Sequence, residues 1–180
     1  LQMIADNGAD AFYKGEVADA LIEAVKKYDG VMTTEDLTAY KVNLREPVSS
    51  TYRGYKIISC PPPSSGGTHL IEILNVLENY DISAMEVNSA EYVHLFSEAF
   101  KAAFADRAAY MGDTDFIEGV PLDGLTSKDY AKTIADKITD ESQKWEKGDP
   151  KQYEGNSTTS FSVADKDGNI VTVTQTIECF

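Results

Sequence analysis

The chain has 180 residues, with 30 Asp and Glu against 16 Lys and Arg, a formal net charge of −14, and 42% hydrophobic residues. That length supports a sizeable core, and so acidic a balance argues against nucleic acid or anionic membrane surfaces as partners. No apolar run approaches the roughly 18 residues of a membrane-spanning helix.

The chain opens on Leu1-Gln2-Met3-Ile4, which reads as the middle of a helix, and stops at Cys179-Phe180 directly after an apolar-rich strand. It therefore reads as a piece of a longer protein, and the lack of a leader says nothing about export. The two cysteines, Cys60 and Cys179, show neither a CxxC nor a metal spacing and define no redox compartment.

Between Gly8 and Tyr28, Ala9, Phe12 and Tyr13 form a short apolar face, and Val17, Leu21, Ile22 and Val25 a longer one at helical spacing, ended by Gly30. Thr33 then caps a short helix through Tyr40, with acidic residues in its first turn. From Val48 the pattern changes: Val48–Tyr52 and Tyr55–Cys60 flank Arg53-Gly54, which predicts a hairpin with a two-residue turn.

Pro61-Pro62-Pro63-Ser64-Ser65-Gly66-Gly67 follows, an extended stretch that then allows a tight turn. It leads into a helix over about Thr68–Asn79 with Leu70, Ile71, Leu74 and Leu77 facing inward. A longer helix is expected from Ser89 to about Met111, with an alanine-rich face (Ala99, Ala102, Ala103, Ala105, Ala108 and Ala109) suited to close packing. Asp113 to Asp123 reads as a loop, and Ser127 caps a helix over Lys128–Ile138. Asp140 to Gly155 is charged and poor in apolar anchors, so it is expected to be exposed and mobile.

The last quarter carries the chemistry. Ser157-Thr158-Thr159-Ser160 heads a strand, Lys166-Asp167-Gly168-Asn169 turns it, and Ile170 to Glu178 returns. Thr172, Thr174 and Thr176 alternate and share one face, which Glu178 continues. Seven residues separate Thr158 from Lys166 and seven separate Gly168 from Thr176, so the register brings Thr176 opposite Thr158, placed to donate a hydrogen bond to it. A threonine freed at a new chain start is a nucleophile whose own α-amine, of unperturbed pKa roughly 7.7 to 8.0, serves as the base. Thr158 is then the reactive group and Ser157–Thr158 the bond that is cut. The hydroxyl attacks the Ser157 carbonyl, passes through an ester, and hydrolysis releases the amine.

Other patterns carry less. Asp165 to Asn169 imitates the start of an EF-hand loop, but the bidentate acid would fall on Thr176 and the flanks read as strands. Asn156-Ser157-Thr158 matches the N-glycosylation pattern. His69 and His94 stand alone on helices and read as structural, and Asp106-Arg107 reads as a weak local ion pair. No metal or cofactor is called for.

With these residues in view, the chain resembles the γ-glutamyltranspeptidase family over nearly its whole length. The resemblance rests on Pro61-Pro62-Pro63-Ser64-Ser65-Gly66-Gly67 leading into Leu74-Asn75-Val76-Leu77-Glu78; on Asp36-Leu37-Thr38-Ala39-Tyr40; on Ala105-Asp106-Arg107 with Tyr110-Met111-Gly112-Asp113; and on Thr158 to Val163 with Asp165 to Asn169. It implies an α+β fold, part of the αββα layered sandwich of N-terminal-nucleophile hydrolases, made as a precursor that cuts itself. Residues 1–157 would be the end of the large subunit and residues 158–180 the first hairpin of the small one.

The resemblance further implies that Thr158 takes the γ-glutamyl group from glutathione or a related amide and passes it to water, an amino acid or a peptide. Thr176 hydrogen-bonds the nucleophile, and Glu178 and Thr159 fall at substrate-binding positions. The remaining parts of both subunits are the expected partners, and an extracellular or periplasmic location is implied. Glu178 stands where many members have Asn, and Ser160 where many have His. The family's arginine for the substrate carboxylate would lie before Leu1, and its oxyanion donors beyond Phe180. Two further readings share the same residues: a related acylase or poly-γ-glutamate capsule transpeptidase, and a non-catalytic scaffold.

Overall fold

The computed structural model describes residues 1–154 and the backbones of Thr158–Ala164 and Ile170–Thr176. It divides into two units, residues 1–45 and 46–180.

The first unit holds α1 (Gln2–Asn7), α2 (Asp10–Tyr13), α3 (Glu16–Lys26) and α4 (Thr34–Ala39). Ala18, Ile22 and Leu37 form its small core, with Tyr13 and Leu21 packed against them. The end of α3 is set by two residues. Asp29 takes the left-handed conformation, φ 58°, and the Gly30 N–H reaches back to the Val25 carbonyl at 3.0 Å, a Schellman closure. A Cβ on Gly30 would lie 2.3 Å from Val25 Cγ1, which is why glycine stands there. At α4 the capping box is complete: the Asp36 N–H donates to Thr33 Oγ1 at 3.3 Å and the Thr33 N–H to Asp36 Oδ2 at 2.8 Å.

The second unit begins with an antiparallel pair, β1 (Val48–Tyr52) and β2 (Tyr55–Ser59), joined through Arg53 (φ 48°) and Gly54 (φ 84°). Positive φ at both turn positions is the geometry whose twist matches a hairpin. The strands lead to α5 (Gly66–Leu77), α6 (Ala90–Tyr110), α7 (Leu122–Thr126) and α8 (Lys128–Ala135), then a 3-10 turn at Pro150–Tyr153. Helices α5 to α8 share one core built from Ile73, Val76, Leu77, Leu95, Ala99, Ala102, Ala103, Leu125, Tyr130 and Ile134. The expected alanine face of α6 turns inward at Ala99, Ala102 and Ala103. Phe100 and Phe104 stay half exposed, because only alanine lets the neighbouring backbones come this close.

Three expectations are corrected. Leu70 is 45% exposed, while Thr68, Glu72 and Asn75 are buried in its stead, so α5 buries a polar row beside its apolar one. Part of the expected loop before Asp123 and beyond is helical, as α7, whose Gly124 is demanded by close approach: a Cβ there would lie 2.0 Å from the Pro150 carbonyl oxygen. The segment from Asp140 onward is largely exposed as expected, but it is tied to α6 by hydrogen bonds, described below.

The last pair is β3 (Thr158–Ala164) and β4 (Ile170–Thr176), antiparallel. Ser157, Glu178, Cys179 and the turn over 165–169 lie outside the described residues. Among the described residues no helix is long and apolar enough to cross a membrane.

Candidate active site

The backbone register pairs Thr158 with Thr176, Thr159 with Gln175, Ser160 with Thr174 and Ser162 with Thr172. Because side chains alternate along a strand, Thr158, Ser160, Ser162, Thr172, Thr174 and Thr176 belong to one face, and Thr159, Phe161, Val163, Val171 and Val173 to the other. β3 thus begins on the residue expected to be the nucleophile, and β4 ends on its cross-strand partner. Thr159 falls on the opposite face.

The segment from Thr139 to Gly148 runs along α6. His94 Nε2 donates to the Thr139 carbonyl at 2.7 Å. Glu98, only 1% exposed, accepts from the Trp145 indole at 2.6 Å and from the Gln143 N–H at 3.3 Å, and pairs with Lys101 at 2.5 Å. Lys101 Nζ also donates to the Gln143 carbonyl at 2.8 Å. Further along, Asp106 accepts the Gly148 N–H at 2.7 Å, and the Tyr110 hydroxyl donates to the Gly148 carbonyl at 2.8 Å. The Glu154 carboxylate closes the run by accepting the Gly124 N–H at 2.7 Å. A cavity of about 460 Å³ remains beneath this segment, lined among others by Asp106, Tyr130, Trp145 and Tyr153. Burial alone would push Glu98 up, but the hydrogen bonds from Lys101, Trp145 and Gln143 hold it below the usual carboxylate value, so it binds the segment as an anion.

A second buried polar group joins α5 to α6 and α8. His69 Nδ1 lies 2.6 Å from Glu72 Oε2, and the Tyr130 hydroxyl donates to Asp106 Oδ2. Burial holds His69 neutral, its pKa lowered to about 4, and its Nδ1 shares a hydrogen bond with the Glu72 carboxyl. Burial, followed by the neighbouring Asp106 charge and a hydrogen bond to Asp106, raises Glu72 well above the carboxylate range. As a neutral acid, Glu72 adds no second negative charge beside Asp106, which relieves the repulsion between the two carboxyls. Arg107 turns to Ser65 Oγ at 2.8 Å, so Asp106 and Arg107 serve different partners instead of one local ion pair.

Neither this group nor the α6 contacts was foreseen. The available signal was His69 and Glu72 at i, i+3 spacing within an otherwise apolar helix. His94 was expected to be a lone surface or structural residue and instead holds Thr139. Among the described residues no group of three or more His, Cys, Asp or Glu is placed to hold a metal ion. Cys60 is free and exposed.

A hairpin that starts and ends on paired threonines is a frame on which an N-terminal-nucleophile hydrolase builds its site. Residues 1–180 match the family model described as gamma-glutamyltranspeptidase, and the chain belongs to that family. It is 49% identical over 181 residues to the glutathione hydrolase proenzyme of Escherichia coli K12, covering 98% of this chain and 31% of that protein. The gamma-glutamyltranspeptidase of Helicobacter pylori matches with TM-score 0.68 and 48% identity, over 84% of this chain and 42% of that one. That of Pseudomonas nitroreducens, solved with L-DON, matches with TM-score 0.70 and 40% identity, over 79% and 43%. The fold is thus part of an α+β N-terminal-nucleophile hydrolase, and the chain spans about a third of the length of the curated relatives it matches.

Proposed function

We propose that this chain is the junction of the large and small subunits of a γ-glutamyl-transferring, glutathione-hydrolysing proenzyme. The observation that carries this reading is Thr158 at the head of β3 with Thr176 as its cross-strand partner, in a chain of this family. Residues 1–157 form the end of the large subunit and residues 158–180 the first hairpin of the small one.

In maturation, Thr158 Oγ attacks the Ser157 carbonyl carbon and the hydroxyl proton passes to the departing nitrogen. The peptide bond becomes an ester with a free α-amine at Thr158. Water then cleaves the ester, leaving a carboxylate on Ser157 and restoring the Thr158 hydroxyl. In turnover the α-amine accepts the hydroxyl proton while Oγ attacks the γ-glutamyl carbonyl and the amine leaving group departs protonated. Water, an amino acid or a peptide takes the acyl group and frees Thr158. Thr176 donates to the nucleophile oxygen, while Thr159 and Glu178 hold the glutamyl group, the Glu178 carboxylate accepting from its α-ammonium. No cofactor or metal takes part. The protein acts outside the cytoplasm, extracellular or periplasmic, and the rest of both subunits completes the pocket.

The test is the full-length protein that contains this chain. Mass spectrometry is expected to find a subunit beginning at Thr158, and the matured protein to release p-nitroaniline from a γ-glutamyl anilide. An uncut protein with no turnover of that anilide or of glutathione overturns the reading.

A further inference from the structure

Five side chains along α6 reach the segment that precedes β3, and they meet it in order. His94 holds Thr139, Glu98 and Lys101 hold Gln143 and Trp145, and Asp106 with Tyr110 holds Gly148. The segment therefore runs parallel to α6 for most of the helix length. Glu98 and Asp106 stand eight residues apart, about 12 Å along the axis, and each spends a buried carboxylate on a backbone N–H of the segment. A buried charge is costly unless fully paired, so two of them engaging one irregular stretch fix that stretch tightly. Shape acts with charge: a Cβ on Gly148 would lie 2.0 Å from Tyr130 Oη and one on Gly124 2.0 Å from the Pro150 carbonyl oxygen, so the segment lies flush against α7 and α8. Glu154, still held by Gly124, stands four residues before Thr158.

We infer that this row of α6 side chains is positioning machinery for maturation: Glu98, Lys101 and Asp106 hold residues 139–154 so that the Ser157–Thr158 bond is presented to the Thr158 hydroxyl. The inference rests on the proposed self-cleavage. It adds that the cleavage rate depends on groups that touch neither the scissile bond nor the substrate. An attack on a neighbouring carbonyl needs the reacting atoms held near contact distance, and a segment tethered by its backbone limits the conformers that the bond can sample.

The experiment measures conversion of the full-length precursor to two subunits over time, alongside turnover per matured molecule and a thermal melt. Glu98→Leu removes the acceptor for Gln143 and Trp145, whereas Glu98→Gln keeps an oxygen for both. Gly148→Ala lifts the segment off Tyr130 without altering α6. Maturation is expected to slow about tenfold or more in Glu98→Leu and Gly148→Ala, the effect of losing a hydrogen bond to a charged group. Glu98→Gln is expected to mature near the normal rate, and turnover per matured molecule to stay unchanged in all three. Wild-type maturation in both Glu98→Leu and Gly148→Ala overturns the inference. So does a Glu98→Gln precursor as slow as Glu98→Leu, or a matured fraction whose turnover falls in step with maturation. Thr158→Ala separates the two layers: it is expected to stay whole, and a Thr158→Ala protein still cut at the same bond overturns the self-cleavage reading itself.

Discussion

Thr158 and Thr176 are direct cross-strand partners, the first and last residues of the β3–β4 ladder. Directly opposed residues in an antiparallel pair carry Cβ atoms about 4.5–5.5 Å apart, within reach of a hydroxyl–hydroxyl bond. Thr158→Ala is therefore expected to leave the full-length protein uncut and without γ-glutamyl turnover. Thr176→Ala is expected to lower turnover about 10- to 100-fold, the loss of a hydrogen bond to a developing charge, and Thr176→Ser to keep most of it. Subunit formation on a gel and anilide kinetics check both. Unchanged turnover in Thr176→Ala removes its role.

What could be read in the sequence was local. The Thr33 capping box and the Arg53-Gly54 turn each depend on residues within four positions, and both stand in the structure as expected. The register of Thr158 with Thr176 followed from counting outward from one turn. The tethering of the segment from Asp140 was not legible because composition counts apolar anchors within a stretch, and its polar anchors lie on α6, 38 to 47 positions away. Glu72 and Asp106 look like surface carboxylates until the fold shows α5, α6 and α8 enclosing them.

The paired glycines of the Pro61–Gly67 stretch are expected to differ. A Cβ on Gly67 would lie 2.1 Å from the Cys60 carbonyl oxygen and 2.9 Å from its nitrogen, both backbone atoms that cannot step aside. On Gly66 the nearest atoms are Ser64 Oγ at 3.4 Å and Cys60 Sγ at 3.8 Å, ordinary contacts. Gly67→Ala should cost about 1–3 kcal/mol or more by overpacking. Gly66→Ala, in the first turn of α5, should be neutral or gain up to about 1 kcal/mol from helix propensity. Denaturant midpoints of the two variants decide it, and equal midpoints would show that the close approach relaxes freely.

Glu78 ties three elements together. Its carboxylate accepts the Arg53 N–H at 2.5 Å in the β1–β2 turn and pairs with Lys128 at the start of α8, and Lys128 also donates to the Thr51 carbonyl at 2.9 Å. The hydrogen bond from Lys128, then that from Arg53, holds the carboxyl below its ordinary value. Both side chains are partly exposed, so solvent weakens the ion pair to about 1 kcal/mol or less, with the backbone bond adding a similar amount. Glu78→Ala should cost about 1–2 kcal/mol and Lys128→Ala less. Because the folded-state value is depressed, this stability is present above the ordinary carboxylate value and is lost as pH falls through the folded-state one. Melts of wild type and Glu78→Ala should therefore converge in acid, and a constant gap at every pH would mean that packing alone is lost.

Glu72 has the opposite sign. Its neutral form is favoured when folded, so above the ordinary value of 4.5 the folded chain holds a proton that the unfolded chain releases. Stability then falls as pH rises, by up to about 1.4 kcal/mol per unit, until the folded-state value is reached. His69 acts against this at lower pH: with its folded value about 4 against an ordinary 6.5, the unfolded chain binds the extra proton between them, and stability rises across that window. The two offset each other up to about pH 6.5, and above it the Glu72 contribution stands alone. The other groups that act on the pair, Asp106, Arg107 and Tyr130, are the same in wild type and variant, so a Glu72→Gln comparison cancels them to first order. Gln keeps the shape of the side chain and a polar partner for His69 Nδ1, without a proton to lose. Because His69 is common to both proteins, Glu72→Gln is expected to gain stability over wild type progressively from about pH 4.5 upward, read as diverging denaturant midpoints. Midpoints that stay parallel through pH 8 would mean that Glu72 is ionised in the folded protein and that His69 carries the compensating charge.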